Sequence, residues 1–310
     1  MSIKTLIVIA GPTAIGKTAL AIQLAEYYHT EIISADSRQF YKEMDIGTAK
    51  PSKEELAAAP HHFIDSLSIH ENYTVGDYEK EAIKLLQKLF LTHNQVILVG
   101  GSGLFINAVC NGFDDLPQVS EEIRSHINNV FSQKGIEYLQ QRLKEVDPDY
   151  YHEVDINNPQ RIIRALEVFE STGKRFSEYR TRIAKKRPFN IAKIGLNTDR
   201  KKLYDRINNR VNQMISDGLV EEVEKLKSFR TANALNTVGY SEILNYFDGN
   251  FTFGEAIDKI KQNTRRFAKR QLTWFNKSKD IKWFDPNDIS KIIIYLDQQI
   301  QYPEPGEQKS

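Results

Sequence analysis

The apolar and polar positions of this chain fall into alternating blocks that predict strands and helices in turn. Short apolar runs at 6–10, 31–35, 95–99 and 189–196 are typical of strands buried on both faces of a parallel sheet. Between them, apolar residues recur at helical spacing, as at 75–91. Strands that alternate with helices predict an α/β fold whose sheet is mostly parallel.

The middle of the chain breaks this alternation. From about residue 120 to residue 186 the apolar positions keep helical spacing, and no segment has the pattern of a strand. We therefore expect a discontinuous catalytic core at 1–118 and 188–300, a helical insertion domain at 119–187 and a flexible tail at 301–310.

Composition narrows the class of protein. The chain has 310 residues, of which 40% are hydrophobic and 27% charged, as in soluble globular proteins. Its single cysteine, Cys110, excludes internal disulfides and cysteine-based zinc sites. We see neither a signal peptide nor an apolar run long enough for a membrane span, so we expect a cytoplasmic protein with no membrane partner.

Charge is uneven along the chain, although the net charge is only +1. Residues 157–190 contain nine Lys or Arg against three acidic residues, and 259–279 contain eight basic residues and no acidic one. Each segment is either a solvated basic face or a surface for a polyanion, and aromatic residues among the basic ones in the second segment favour a nucleic acid.

The most specific local signal is a phosphate loop between the first strand and the first helix. Its residues fit the pattern G-x-x-x-x-G-K-[ST] and are Gly11, Pro12, Thr13, Ala14, Ile15, Gly16, Lys17 and Thr18. Backbone N–H groups and the helix N-terminus bind phosphate in such loops, while Lys17 reaches outer phosphate oxygens and Thr18 can hold Mg²⁺. The pattern predicts a pyrophosphate site without identifying what carries the pyrophosphate.

Two polar residues follow other predicted strands. Asp36 comes after the second strand and Ser102 after 95–99, so both should lie at the carboxyl edge of the sheet, where ligands bind. Asp36 suits a general base, a metal ligand or a helix cap, and Ser102 suits a substrate contact or a helix cap. Gly100 stands where many phosphate-loop nucleotidases carry an acidic metal ligand, which argues against an ordinary ATPase.

Arg210 is the unusual residue of the helix predicted at 199–217. At about 100° per residue it falls within the apolar stripe formed by Leu203, Ile207, Val211 and Met214. A guanidinium on a buried face needs an anionic partner, either an internal carboxylate or a bound phosphate.

Six motifs, in order along nearly the whole chain, resemble the tRNA dimethylallyltransferase family. They are GPTAIGKT at 11–18, ISADSRQFYKEMDIGTAKP at 33–51, VGGSGLF at 99–105, NPQRIIRALEV at 158–168, NTVGYSE at 236–242 and TRRFAKRQLTWF at 264–275. The resemblance implies a phosphate-loop core with a helical insertion. It also implies transfer of a prenyl group from dimethylallyl diphosphate to N6 of adenosine 37 in tRNA, with Mg²⁺ and without a nucleotide triphosphate.

The resemblance also assigns roles to positions of this sequence. Residues 13–18 would bind the diphosphate, Asp36 would be the base on the adenine amine, and Arg210 would contact the diphosphate. Ser102, where the family usually has threonine, would act beside them. The tRNA contacts would be Asp36, Ser37, Arg38, Gln39, Ser102, Arg124, Gln160, Arg161, Ile162, Ile163, Arg164, Asn236, Thr237, Val238, Gly239, Tyr240 and Ser241. Of these, Arg38, Gln39 and Asn236 differ from the residues common in the family.

We expect a bacterial-type enzyme, because the zinc-finger cysteines of many eukaryotic relatives are lacking. It should act as a monomer on the tRNA anticodon stem-loop. A phosphate-loop kinase of small metabolites, a prenyltransferase of free adenylate and an RNA-binding module remain the alternatives, but none of them explains the phosphate loop, Asp36 and both basic segments together.

Overall fold

The computed structural model describes residues 3–181 and 183–302. The chain divides into two compact units, one formed by residues 1–111 and 186–310 and the other by residues 112–185. Most of the tail expected at 301–310 lies outside the described residues, and Gln301 belongs to the last helix of the first unit.

A parallel sheet of six strands forms the centre of the first unit, which confirms the α/β fold predicted from the sequence. The strand order is β3-β2-β4-β1-β5-β6, and every paired strand runs parallel to its neighbour. All six residues of β1 are buried, as the continuous apolar run predicts. The strands are β1 Thr5–Ala10, β2 Ile32–Ser34, β3 His61–His62, β4 Gln95–Val99, β5 Asn190–Leu196 and β6 Lys282–Phe284.

Helices cover both faces of this sheet and are numbered here in chain order. Those of the first unit are α1 Lys17–Tyr28, α2 Lys53–Ala58, α3 Val75–Leu89, α4 Gly103–Asn111, α9 Arg200–Ser216, α10 Leu219–Lys225, α11 Tyr240–Phe247, α12 Phe253–Phe275 and α13 Ile289–Gln301. Local sequence fixes where several of them begin. Capping boxes formed by Thr74 with Asp77 and by Thr252 with Glu255 open α3 and α12, because each pair satisfies backbone N–H groups of the first turn.

In the second unit, all the regular elements that the structure describes are helices. They are α5 Glu121–Val146, kinked at Gly135, α6 Pro148–Glu153, α7 Pro159–Thr172 and α8 Phe176–Tyr179. Its own apolar core includes Leu139, Leu143 and Leu166. Buried Asp147 joins α6 to α8, since its carboxylate accepts hydrogen bonds from the backbone N–H and the hydroxyl of Ser177 at 2.8 and 2.7 Å.

The sequence did not predict β6. Its three residues are too few to show a strand period, and pairing with β5 fixes their conformation. In the part of the chain that the structure describes, no helix is both long and apolar enough to span a membrane.

The strand order decides which loops meet. Because β4 lies between β2 and β1, the segments that follow these three strands lie side by side at the carboxyl edge. They are the loop after Ser34, the turn after Val99 and the phosphate loop after Ala10.

Candidate active site at the carboxyl edge of the sheet

The phosphate loop has the backbone geometry of an anion site. Ala14 has a φ of 63° and Gly16 a φ of 104°, and Gly16 directly precedes the first residue of α1. Left-handed residues in such a loop turn successive N–H groups towards one concave space, and the positive end of the helix dipole faces the same space. The loop that the motif predicts as a pyrophosphate site therefore has a suitable shape.

Lys17 spans this loop with its side chain. Its ammonium donates a hydrogen bond to the carbonyl oxygen of Pro12 at 2.8 Å. Burial lowers the pKa of Lys17 to about 8; the charge of Asp36 counteracts this shift, and the charge of Arg210 adds to it. Burial thus destabilises the charged form of Lys17. A bound anion beside this ammonium would stabilise the protonated form.

Asp36 lies directly after β2 and is half-buried. One carboxylate oxygen accepts a hydrogen bond from the backbone N–H of Arg38 at 3.1 Å, which orients the carboxylate. Its charge also acts on Lys17 and on Arg210, so the three groups share one electrostatic neighbourhood. Among the described residues, no direct ion pair joins any two of them.

The turn after β4 brings Ser102 to the Asp36 loop. The Ser102 hydroxyl accepts a hydrogen bond from the backbone N–H of Ser37 at 3.2 Å and lies 3.2 Å from the Ser37 hydroxyl. A Cβ at Gly100 would lie 2.3 Å from the carbonyl oxygen of Ala35. The close approach of the two strand ends therefore leaves no room for an acidic side chain at position 100.

The structure corrects the expected burial of Arg210. Leu203, Ile207 and Val211 are buried, but Arg210 is exposed to solvent. A long charged side chain can start beside an apolar stripe and still be exposed, so helical periodicity alone did not predict this exposure. Surrounding protein still lowers the pKa of Arg210, against the opposing charges of Glu55 and Asp36, which is expected for a group inside an open cleft.

Arg38 and Gln39, expected to contact tRNA, are both engaged within the protein. The Arg38 guanidinium donates to the carbonyl oxygens of Asn233 and Asn236, at 3.1 and 3.4 Å. The Gln39 amide donates to the carbonyl oxygens of Thr48 and Ala49, at 3.3 and 3.1 Å. Both side chains therefore hold neighbouring loops in place.

The segment 236–241 is only partly available to a ligand. Asn236 is exposed; Thr237, Val238 and Ser241 are half-buried; and Gly239 is buried. Tyr240 is fully buried, and its hydroxyl donates to Glu222 at 2.5 Å. The Tyr240 ring belongs to the core in this conformation, so only its backbone could meet tRNA, and the contact stays a prediction.

Burial also limits which predicted residues of the helical unit could contact tRNA through their side chains. Ile162 and Ile163 are buried in its core, so their side chains cannot meet RNA there, whereas Gln160 and Arg161 are exposed. Arg124 and Arg164 both pair with the buried carboxylate of Glu167, at 3.4 and 3.3 Å. Arg124 also pairs with Glu121, so two carboxylates balance these two guanidinium groups.

Helix α12 carries the second basic segment and presents much of it to solvent. Its exposed side chains include two aromatic and three basic ones: Arg266, Phe267, Lys269, Arg270 and Trp274. Cations beside accessible aromatic rings are suited to a nucleic-acid backbone and its bases.

Two residues beside the phosphate loop were missed in the sequence. Arg206 of α9 donates to the carbonyl oxygen of Ile15 at 3.0 Å, and Gln271 of α12 accepts from the N–H of Thr13 at 2.8 Å. Arg206 lies one helical turn before Arg210, which was a usable signal. Gln271 gave none, because its partner is 258 residues away in the chain.

The residues present also fit a magnesium ion bound mainly through a substrate. No group of three or more His, Cys, Asp or Glu residues suited to a metal lies within 3–181 and 183–302. Mg²⁺ at phosphate sites commonly keeps several waters and binds one or two protein oxygens together with phosphate oxygens. The half-buried hydroxyl of Thr18, at the start of α1, can supply such an oxygen.

A phosphate loop, a carboxylate and two cations at the edge of a parallel sheet define a phosphate-loop α/β enzyme. The family model of IPP transferases matches residues 39–278. The chain therefore belongs to the IPP transferase family.

Relatives with curated names agree. The chain is 53% identical to a tRNA dimethylallyltransferase of Christiangramia forsetii, over 95% of this chain and 98% of that protein. It is 50% identical to a tRNA dimethylallyltransferase of Flavobacterium johnsoniae, over 96% and 99% of the two chains.

Solved structures with a similar fold belong to enzymes of the same kind. One is the tRNA isopentenylpyrophosphate transferase of Bacillus halodurans, with a TM-score of 0.71 and 37% identity, covering 96% of this chain and 97% of that one. Another is a eukaryotic dimethylallyltransferase acting on tRNA, with a TM-score of 0.80 and 25% identity, covering 99% and 81%.

Proposed function

We propose that this protein transfers the dimethylallyl group of dimethylallyl diphosphate to N6 of adenosine 37 in tRNA and releases diphosphate. The observation that carries the proposal is the meeting of an anion-binding loop with Asp36, Lys17 and Arg210 at one edge of the sheet. Together these four provide what an allylic diphosphate and an amine nucleophile require, which is a cationic clamp and a base.

The reaction exchanges one bond for another. The N6 nitrogen attacks C1 of the dimethylallyl group, the bond between C1 and the diphosphate oxygen breaks, and its electron pair leaves with the diphosphate. Asp36 accepts the proton that N6 loses as the new bond forms, since an exocyclic adenine amine is a poor nucleophile while it keeps that proton. The hydrogen bond from the Arg38 N–H holds the Asp36 carboxylate in one orientation for this step.

Negative charge grows on the leaving diphosphate as the bond to C1 breaks. The N–H groups of the loop, Lys17 and Arg210 stabilise this charge because they are in place before the reaction starts. The Thr18 hydroxyl would hold Mg²⁺ here, and the ion would supply additional positive charge to the leaving diphosphate. Ser102, held beside Ser37, presents a hydroxyl next to Asp36 for the target nucleoside.

The exposed face of α12 and the exposed residues Gln160 and Arg161 supply the contacts to the anticodon stem-loop. The target adenine leaves its stack to reach Asp36, as in other enzymes that modify a base within a nucleic acid. The protein acts as a monomer in the cytoplasm, where its tRNA substrate is found.

One incubation separates this function from its competitors. The protein, with Mg²⁺ and labelled dimethylallyl diphosphate, receives an unmodified tRNA transcript, the same transcript with guanosine at position 37, or AMP. We expect label in the first RNA alone. Label in AMP would instead indicate an adenylate prenyltransferase, and label in the guanosine transcript would remove adenosine 37 as the target. Transfer of phosphate from ATP to small metabolites, in a parallel reaction, would indicate a kinase.

A further inference from the structure

The buried side of α12 contains a polar side chain that the reaction described above does not use. Gln271 is only 6% exposed, between the buried apolar residues Ala268 and Phe275. Its amide oxygen accepts a hydrogen bond from the backbone N–H of Thr13 at 2.8 Å, and its amide nitrogen donates to the carbonyl oxygen of Gly101 at 3.0 Å. One amide thus joins the phosphate loop to the turn after β4.

The fit around this amide is close. A Cβ at Gly101 would lie 2.3 Å from the Gln271 amide nitrogen and 3.8 Å from the ammonium nitrogen of Lys17. Gly101 therefore makes room for the amide, and the bridge lies immediately beside the cation of the diphosphate site. Neither loop can shift far from the other without leaving a buried donor or acceptor unsatisfied.

The same helix reaches two other parts of the site. Arg265 donates to the side chain of Asn208 at 2.7 Å, on the helix that carries Arg210. The indole of Trp274 occupies the space that a Cβ of Gly103 would enter, at the start of α4. The opposite side of α12 carries the exposed Arg266, Lys269 and Arg270.

We propose that Gln271 is a positioning residue that sets the phosphate loop for diphosphate binding. Gln271 thereby links the phosphate loop to α12, the helix whose exposed face we propose to contact tRNA. The inference rests on the proposed function only for the identity of the substrates. The bridge fixes Thr13 against Gly101, so the N–H groups of the loop need no reordering when the diphosphate enters.

The decisive variant is Gln271→Met, which keeps the volume and removes both hydrogen bonds. We expect the affinity for inorganic pyrophosphate with Mg²⁺, measured by titration calorimetry, to fall about tenfold or more, since two buried hydrogen bonds are lost. KM for dimethylallyl diphosphate should rise in parallel, while the affinity for tRNA should stay within about twofold. Gln271→Glu should weaken pyrophosphate binding at least as much, because it replaces the donor to Gly101 by a carboxylate and adds a negative charge beside the diphosphate site.

Gln87→Met is the matched control, since it makes the same substitution at an exposed position of α3. We expect it to leave all three quantities unchanged. Should Gln271→Met not fold, Gly101→Ala disturbs the same bridge from the other loop and should selectively weaken pyrophosphate binding. Unchanged pyrophosphate affinity in a folded Gln271→Met protein would overturn the proposal, as would equal losses of pyrophosphate and tRNA affinity. A wild type that binds pyrophosphate but prenylates no tRNA would overturn the proposed function and leave this comparison intact.

Discussion

The charged groups at the amino edge and at the carboxyl edge of the central sheet differ in how they are paired. At the amino edge, Glu31 accepts hydrogen bonds from the rings of His62 and His93, at 2.6 and 3.4 Å. At the carboxyl edge, Lys17, Arg210 and Asp36 lie within electrostatic reach of one another, and no direct ion pair joins them among the described residues.

The pKa shifts record the same difference. Burial raises the pKa of Glu31, but the two histidines outweigh it, so the net pKa is lowered and the carboxylate is stabilised. Burial lowers the pKa of Lys17 to about 8, so its charged form is destabilised. A satisfied cluster supports the fold without a ligand, whereas destabilised charges are relieved by an anionic ligand and are characteristic of functional sites.

The largest effect should follow from Asp36→Asn, which keeps the shape of the side chain and removes the base. We expect turnover to fall about 10²- to 10⁴-fold, the usual contribution of a general base, with tRNA affinity nearly unchanged. Single-turnover transfer from labelled dimethylallyl diphosphate measures the chemical step. Glu31→Gln, the equivalent change at the amino edge, should leave turnover unaltered. Near-normal turnover in Asp36→Asn would exclude Asp36 as the base.

The next effect concerns Arg210. Arg210→Ala should weaken binding of dimethylallyl diphosphate about 10- to 100-fold, because a hydrogen bond to a charged group contributes about 1.5–3 kcal/mol. Titration calorimetry with Mg²⁺ measures it, and tRNA affinity should change less. Arg200→Ala removes an equal charge at the far end of the same helix and serves as the control. Equal binding by both variants would show that Arg210 does not reach the diphosphate.

Sequence patterns predict where in the fold the site lies, but they do not predict the side-chain contacts around it. The buried strands and the glycine loop predict that Asp36, Ser102 and the phosphate loop lie at one edge of a parallel sheet, and the observed sheet confirms that fold. The roles of the individual residues stay predictions, because geometry alone does not measure catalysis.

What could not be predicted depends on side-chain reach and on contacts distant in sequence. Helical spacing gave the direction of the Arg210 Cβ but not the exposure of its long side chain. Tyr240 follows a glycine in a polar segment, and only packing against Glu222 shows that its ring is buried. The Gln271 bridge joins residues 258 positions apart, which no local period records.

A smaller effect should appear in the pH dependence of diphosphate binding. Below about pH 8 Lys17 is protonated in the free protein, whereas above it binding must also recover a proton, since the anion favours the charged form. Pyrophosphate affinity should therefore fall above pH 8, by at most about tenfold per pH unit. Calorimetry at pH 8.5 in buffers of different ionisation enthalpy should show proton uptake on binding. Lys17→Met should bind more weakly and lose this dependence, and a wild-type affinity that is constant up to pH 9.5 would contradict the assignment.

The smallest effect belongs to the amino edge and concerns stability. Because the folded-state pKa of Glu31 is lowered, its contribution is present above the ordinary value of 4.5 and is lost as the pH falls through the lower folded value. Glu31→Gln should therefore reduce the free energy of unfolding at pH 7 by at most about 1 kcal/mol, since the cluster is partly solvated. The difference from the wild type should close as the pH drops below 4.5. Urea denaturation at neutral and acidic pH measures both.

Asp36→Asn completes the test, because it removes a negative charge that has no direct ion pair among the described residues and keeps an oxygen for the Arg38 N–H. We expect it to leave the free energy of unfolding unchanged or to raise it slightly, as commonly happens when a functional charge is removed. The two variants would then show that the two edges have different roles. Glu31→Gln would change stability and not turnover, whereas Asp36→Asn would change turnover and not stability. A loss of stability in Asp36→Asn as large as in Glu31→Gln would show that both edges are structural in the same sense, and the distinction between them would fail.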